Sequence, residues 1–197
     1  MSLVVVTGGA RSGKSGAAER LAASRGTPVV VAVAGSAEDE EMVRRITTHR
    51  ADRPQTFATL EIVTDIAWIA DVPDGSCLVL DCLGTLVSRI VAEESMEAGE
   101  LASRGAEEQV QARTQALLDA LFARDGDTIV VTNEVGDGVV PAYPSGRLFR
   151  DTLGRANRLL ADRANGAWLV VAGRCIDLQG LPSDLRWPTE SDPRVSV

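Results

Sequence analysis

Short apolar runs punctuate the chain at Leu3–Thr7, Val29–Ala34, Cys77–Asp81, Thr128–Thr132 and Trp168–Ala172. They are continuous rather than alternating, and rich in valine. Strands covered on both faces have this pattern, as in a parallel sheet lying between helices. Thr59–Val63 is more polar and reads as an edge strand. Between the runs the period lengthens to that of a helix. Gly16–Ala23 is one helical stretch. Val110, Thr114, Leu117, Leu118 and Leu121 share one face of a helix over 106–123, which Asp125-Gly126-Asp127 stops. Leu153, Ala156, Leu160, Ala161 and Ala164 mark another, ended by Asn165-Gly166. A shorter helix is predicted over Glu38–Thr48, with Val43 and Ile46 inward and Glu40–Arg44 and Glu41–Arg45 as i,i+4 pairs. Alternating strands and helices predict an α/β domain with a mainly parallel sheet and helices on both faces.

The domain is expected to occupy residues 1–179. Ala92–Gly105 is acidic and poor in large apolar groups, and reads as a surface excursion or a loosely packed helical start. Residues 180–197 shift to Pro, Ser, Asp and Arg without periodicity, which predicts an irregular tail that Trp187 could pin to the body.

At 197 residues the chain is long enough for one full core. Its net charge of −8 argues against a nucleic-acid surface, though not against a nucleotide. A few arginines and a nest of backbone N–H groups bind phosphate on an acidic protein as well. No apolar run is long enough to span a bilayer. The N-terminal residues lack a basic region before the first strand, which predicts neither signal nor transit peptide. The cysteines, Cys77, Cys82 and Cys175, show no C-x-x-C spacing and read as small core groups of a cytoplasmic protein.

The first apolar run leads into Gly8-Gly9-Ala10-Arg11-Ser12-Gly13-Lys14-Ser15, the pattern G-x-x-x-x-G-K-[ST]. A strand before it and a helix after it are what a phosphate-cradling loop requires. Backbone N–H groups would surround the phosphates, Lys14 would reach the β- and γ-phosphates, and the Ser15 hydroxyl would hold Mg²⁺. The alternative is a Gly/Ser-rich turn that binds nothing. Asp81 ends another buried run and suits a carboxylate that holds the metal directly or through water; an N-cap aspartate would look the same. Asn133 and Glu134 follow the Thr128–Thr132 run, at the edge where open α/β sheets bind ligands. They are candidates for substrate or metal-water contacts, or else members of a structural turn. Arg147 and Arg150 follow at a distance that suits phosphates or a solvated helix start.

His49 is the one histidine in the chain, with Arg44, Arg45, Arg50 and Arg53 around it. Nearby guanidinium groups favour the neutral imidazole, the form with a nucleophilic lone pair. The same arginines suit a triphosphate. A histidine favoured by the dipole at a solvated basic helix end is the other reading of this segment.

Taken in order, GGARSGKS at residues 8–15, Glu40-Glu41-Met42, Arg45-Ile46-x-x-His49-Arg50-x-x-Arg53-Pro54, Asn133-Glu134-Val135-Gly136-x-Gly138-x-Val140-Pro141 and Phe149-Arg150-Asp151-x-x-Gly154-x-x-Asn157 resemble the bifunctional adenosylcobinamide kinase/adenosylcobinamide-phosphate guanylyltransferase family of cobalamin biosynthesis. The resemblance covers Leu3 to Gly173. It implies a three-layer, RecA-like P-loop fold and a homotrimer. It also implies two reactions: ATP or GTP phosphorylates the aminopropanol hydroxyl of adenosylcobinamide, and GMP then passes from GTP to the product through a histidine–GMP intermediate on the residue matching His49. By the same carry-over the P-loop, Ala34-Gly35-Ser36, Arg50-Ala51-Asp52-Arg53, Glu61 and Asp81 contact nucleotide. Ser88, Arg158 and the segment from Gly173 to Asp177 depart from the family pattern. A monofunctional P-loop kinase and a nucleotide-dependent regulatory NTPase are the competing functional readings, and neither requires a nucleophilic histidine.

Overall fold

The computed structural model of the chain describes residues 2–34, 54–97 and 104–183. All five apolar runs form strands: β1 (Leu3–Gly8), β2 (Val29–Ala34), β4 (Cys77–Asp81), β5 (Thr128–Val131) and β6 (Gly166–Val171). The more polar run is β3 (Phe57–Ile62), and a further strand is β7 (Arg174–Asp177). The order across the sheet is β3-β2-β4-β5-β1-β6-β7, so β3 lies at an edge as its polarity predicts. All pairs are parallel except the β6–β7 hairpin.

The unbroken valine runs follow from burial on both sides. Val29, Val31 and Val33 of β2 meet helix α1 (Lys14–Ala23) through the Ala18 and Ala22 side of the sheet. Val30, Ala32 and Ala34 belong to the opposite core. There, helices α2 (Leu83–Glu97), α3 (Arg104–Ala123) and α4 (Pro144–Arg163) contribute Leu86, Ile90, Leu118, Leu121, Leu153 and Leu160, each nearly inaccessible to solvent. A fully buried leucine contributes roughly 1.5–3 kcal/mol by removal from water. The fold is therefore three-layered, with the sheet between α1 and the other three helices.

Several expectations change. Helix α2 reaches Glu97, so the first part of the 92–105 segment is the end of a helix rather than a surface excursion or a helical start. Its polar end is held by tertiary contacts: Arg113 of α3 donates to Glu94 and Glu93, and the Thr64 hydroxyl bonds Glu93. Helix α4 starts at Pro144, so Arg147 and Arg150 lie within it. Strand β7, which the sequence left unassigned, is exposed along its length and rests on hairpin pairing with β6. Cys175 lies on it and is exposed, so it is not a core group. Cys77 is one: burial first, then the Asp127 charge, push its thiol pKa up. The predicted helix over 38–48 and most of the predicted 180–197 tail, Trp187 included, lie outside the described residues. No described helix is long and apolar enough to cross a membrane.

At the amino-terminal edge of the sheet, Asp127 accepts hydrogen bonds from the Ser2 amide at 2.8 Å and from Arg25 Nε at 2.7 Å. Burial alone would raise its pKa, but these donors hold the carboxyl below its ordinary range. The stabilisation is therefore present above the unfolded carboxylate pKa, about 3.9, and is lost as pH falls through the lower folded value. Asp127→Asn is expected to lower Tm at pH 7 by roughly 2–5 °C, the size of one charge-assisted hydrogen bond in a chain of this length. Thermal melts between pH 7 and 3 should show the gap to the native protein closing with acid. A gap that widens would contradict this account.

Candidate active site

Strand β1 delivers the loop that opens α1. A Cβ on Gly8 would stand 2.5 Å from the Val170 carbonyl oxygen and 2.8 Å from Ser12 Oγ, so the strand can leave the sheet here only with glycine. Arg11 and Gly13 have φ of 58° and 95°, in the left-handed region. Left-handed residues of this kind are what an anion-binding nest is built from, and the Ser12 amide closes the turn onto the Gly9 carbonyl at 3.3 Å. Helix α1 has no side-chain cap and no acidic residue in its first turn. Its first N–H groups and the positive end of its dipole are therefore available to an anion. Lys14 is the first helical residue. It is buried, and its Nζ donates to the Gly9 carbonyl at 3.1 Å, folding the side chain back over the loop. Ser12 Oγ is buried with no hydrogen-bond partner among the described residues.

Ser15, one residue on, donates from Oγ to Asp81 Oδ1 at 3.1 Å. This contact joins the P-loop to the tip of β4, although β5 separates β4 from β1 in the sheet. The two side chains singled out in the sequence for a metal are thus in hydrogen-bond contact. The β5 tip emerges between them: the Thr132 amide donates to the Val6 carbonyl at 3.0 Å, and the Glu134 amide donates to the Gly8 carbonyl at 3.3 Å. Asn133 and Glu134 therefore stand beside the P-loop, as their position after a buried strand predicts. Glu134 is exposed, and its Oε1 accepts from the Gly136 amide at 2.8 Å. Asn133 Oδ1 lies 3.5 Å from Cys82 Sγ.

Other predicted residues are not gathered there. Ala34 and Glu61 lie at the carboxyl ends of β2 and β3, and β3 is four strand positions from β1. At the usual inter-strand spacing that is about 19 Å. Val33, which precedes Ala34, is in register with both Glu61 and Asp81, so these residues extend the sheet edge outward from Asp81, on the side away from the P-loop. Gly35, Ser36, His49, Arg50, Ala51, Asp52 and Arg53 lie outside the described residues. Arg147 is committed to structure: its Nη1 donates to the carbonyls of Pro141 and Ala142, at 3.0 and 2.8 Å. Arg150 pairs with Asp151.

Two supports were not foreseen. Asn157 of α4 accepts from the Thr132 hydroxyl at 2.7 Å and donates to the Asn133 carbonyl at 2.9 Å, fixing the β5 tip from behind. The β6–β7 turn holds the P-loop from the other side, with the Gly173 amide donating to the Ser12 carbonyl at 2.9 Å. An Ala-Gly pair between an apolar run and Arg174-Cys175-Ile176-Asp177 is a hairpin signal that could have located this turn.

Known proteins resemble the chain along this same length. The family model described as cobinamide kinase / cobinamide phosphate guanyltransferase, CobU, matches residues 4–178, past the Gly173 limit expected from the motifs. The bifunctional adenosylcobalamin biosynthesis protein CobU of Escherichia coli is 35% identical over 175 residues, covering 87% of this chain and 96% of that one. The protein of the same name from Salmonella typhimurium is 36% identical over 178 residues, with the same shares. CobP of Pseudomonas aeruginosa, likewise called bifunctional, is 35% identical over 180 residues, 90% of this chain and 98% of the relative. Among solved structures, an ATPase from the type III secretion system of pathogenic bacteria superposes with a TM-score of 0.52 at 16% identity. The match covers 85% of this chain and half of the ATPase, and it shows a shared P-loop fold.

Proposed function

The chain belongs to the cobinamide kinase / cobinamide phosphate guanyltransferase family, and from that premise we propose that it performs both reactions. In the first, the aminopropanol hydroxyl of adenosylcobinamide attacks the γ-phosphorus of ATP or GTP. The new O–P bond replaces the bond to the β-phosphate oxygen, and the hydroxyl proton is released. In the second, an imidazole nitrogen of His49 attacks the α-phosphorus of GTP and expels pyrophosphate. An oxygen of cobinamide phosphate then displaces the histidine from the same phosphorus, giving adenosyl-GDP-cobinamide. Dividing the transfer into two displacements is ordinary covalent catalysis.

The site's own groups account for the first step. The loop from Gly8 to Ser15 and the start of α1 bind the phosphates, and Lys14 stabilises the charge that spreads over the transferring group. Gly173 holds one side of that loop, and Asn157 fixes the β5 tip beside it. Ser15 and Asp81 suit Mg²⁺, which is commonly held by one or two protein oxygens together with substrate phosphates and would neutralise phosphate charge. Gly35, Ser36, Arg50, Ala51, Asp52, Arg53 and Glu61 belong, on this reading, to the GTP contacts of the second reaction. The separation of Glu61 from the P-loop suits a homotrimer in which nucleotide contacts come from neighbouring subunits. The free thiols suit a cytoplasmic protein.

The observation that carries this reading is the family match over residues 4–178, laid on a P-loop whose Ser15 hydroxyl meets Asp81. Incubation with adenosylcobinamide, ATP and Mg²⁺ should yield the corrinoid phosphate by mass spectrometry. Addition of GTP should convert it to the GDP-corrinoid with release of pyrophosphate. Nucleotide hydrolysis with no corrinoid product would sink the proposal.

A further inference from the structure

The kinase reaction brings the end of a flexible arm to the γ-phosphate, while the bulky macrocycle that carries the arm must rest outside the P-loop. The segment between β5 and α4 offers such a resting place. It starts beside Gly8, through the Glu134 amide, and it carries Val139, Val140 and Tyr143, which are 96%, 58% and 63% exposed. Large apolar side chains so exposed on an ordered loop mark binding surfaces.

The loop is pre-built. Arg147 pins the carbonyls of Pro141 and Ala142. A Cβ on Gly146 would lie 2.6 Å from the Tyr143 ring and 2.8 Å from Pro141 Cβ, so glycine lets the first turn of α4 take the ring and the proline at close range. Glu134 Oε1 closes the turn onto the Gly136 amide. The exposed apolar groups are thus held in place before any ligand arrives, which limits the ordering cost of binding.

We propose that Val139, Val140 and Tyr143 form the platform on which the corrin macrocycle of the acceptor docks, with its hydroxyl arm directed past Glu134 to the P-loop. The proposal rests on the cobinamide reading of the site. Two observations favour this occupant. The platform is continuous with the phosphate site through Glu134. Its exposed charged neighbours in the loop are Glu134 and Asp137, while the one guanidinium against it among the described residues, Arg147, is half-buried and turned onto the Pro141 and Ala142 carbonyls. An alkylcobalt(III) corrin is a cation whose ring and methyl groups are exposed between its polar amide side chains; exposed apolar side chains beside carboxylates complement that mixture. The nucleotide is an anion, which the same carboxylates disfavour.

The test compares the native protein with Val139→Ser/Val140→Ser/Tyr143→Ser, with the conservative Val139→Leu/Val140→Leu, and with Leu181→Ser, an exposed apolar position elsewhere. Cobinamide phosphorylation is assayed against each substrate, and cobinamide binding is read by equilibrium dialysis. The triple variant should raise the cobinamide KM and the dialysis Kd by about tenfold to a hundredfold, with the nucleotide KM within about twofold. The leucine variant should restore near-native values, and Leu181→Ser should match the native protein. An unchanged cobinamide KM and Kd would overturn the proposal. A raised nucleotide KM alone would assign the surface to the nucleobase, and a smaller particle on gel filtration would assign it to a subunit interface; either overturns it. Should the native protein neither bind nor phosphorylate cobinamide, the functional reading itself fails and this proposal with it. Native phosphorylation beside an indifferent triple variant removes this proposal alone.

Discussion

His49→Ala is expected to abolish covalent attachment of GMP while much of the cobinamide phosphorylation survives. A phosphoramidate requires a nitrogen nucleophile, and His49 is the one histidine of the chain. Arginine neighbours in sequence favour its uncharged, nucleophilic form and suit the triphosphate it would attack. The P-loop groups proposed for the kinase step are Lys14, Ser15 and Asp81, carried by α1 and the tip of β4. Protein incubated with α-phosphate-labelled GTP and Mg²⁺, then denatured, should retain label in alkali and lose it in acid, the lability pattern of a phosphoramidate. In His49→Ala the label should fall on the order of a thousandfold or more, as expected when a covalent nucleophile is removed. Equal loss of phosphorylation and labelling in a folded variant would refute the division between the two steps. Labelling that survives the substitution would remove His49 as the nucleophile.

The parts of this molecule legible in the sequence are those fixed by local rules. Burial on both faces writes itself into Val29–Ala34 and Cys77–Asp81 as unbroken apolar runs. The P-loop is legible because strand, glycine turn and helix are contiguous. Helix α2 illustrates the opposite case. Leu83, Leu86, Val87, Ile90 and Val91 carry a helical period and are buried, but the second half reads as a polar surface segment. Contacts from Thr64 and Arg113, distant in sequence, hold that half. Strand β7 has no buried face, so hydrophobicity could not reveal it. The site was legible in its members more than in its grouping. Ser15 and Asp81 meet across the intervening β5, and Glu61 lies two strands beyond Asp81 at the sheet edge; neither relation can be read before the strand order is known. Arg147 suited phosphates or a solvated helix start equally by charge and spacing; its Nη1 bonds the carbonyls of Pro141 and Ala142, just before α4.

Lys14→Ala should weaken nucleotide binding and transfer about a hundredfold or more, while leaving the nucleotide-free protein close to native stability. Lys14 is 8% exposed, and among the described residues its Nζ bonds the Gly9 carbonyl, on a solvent-exposed loop residue that water can satisfy when the side chain is lost. The contribution to folding is correspondingly small. Toward a triphosphate the same ammonium would make charge-assisted bonds, and a few kcal/mol there is a hundredfold or more. Thermal shift separates the two effects. At a GTP concentration of 100 Kd the native protein gains about 2.7 kcal/mol from ligand. A hundredfold weaker variant at the same concentration gains only about 0.4 kcal/mol. In a chain of this length the ligand-induced shift should drop from roughly 5–10 °C to about 1 °C, with nearly equal baselines. A full GTP shift and unchanged turnover in Lys14→Ala would mean that the buried ammonium serves the loop alone, and the nucleotide would then have to be sought away from β1.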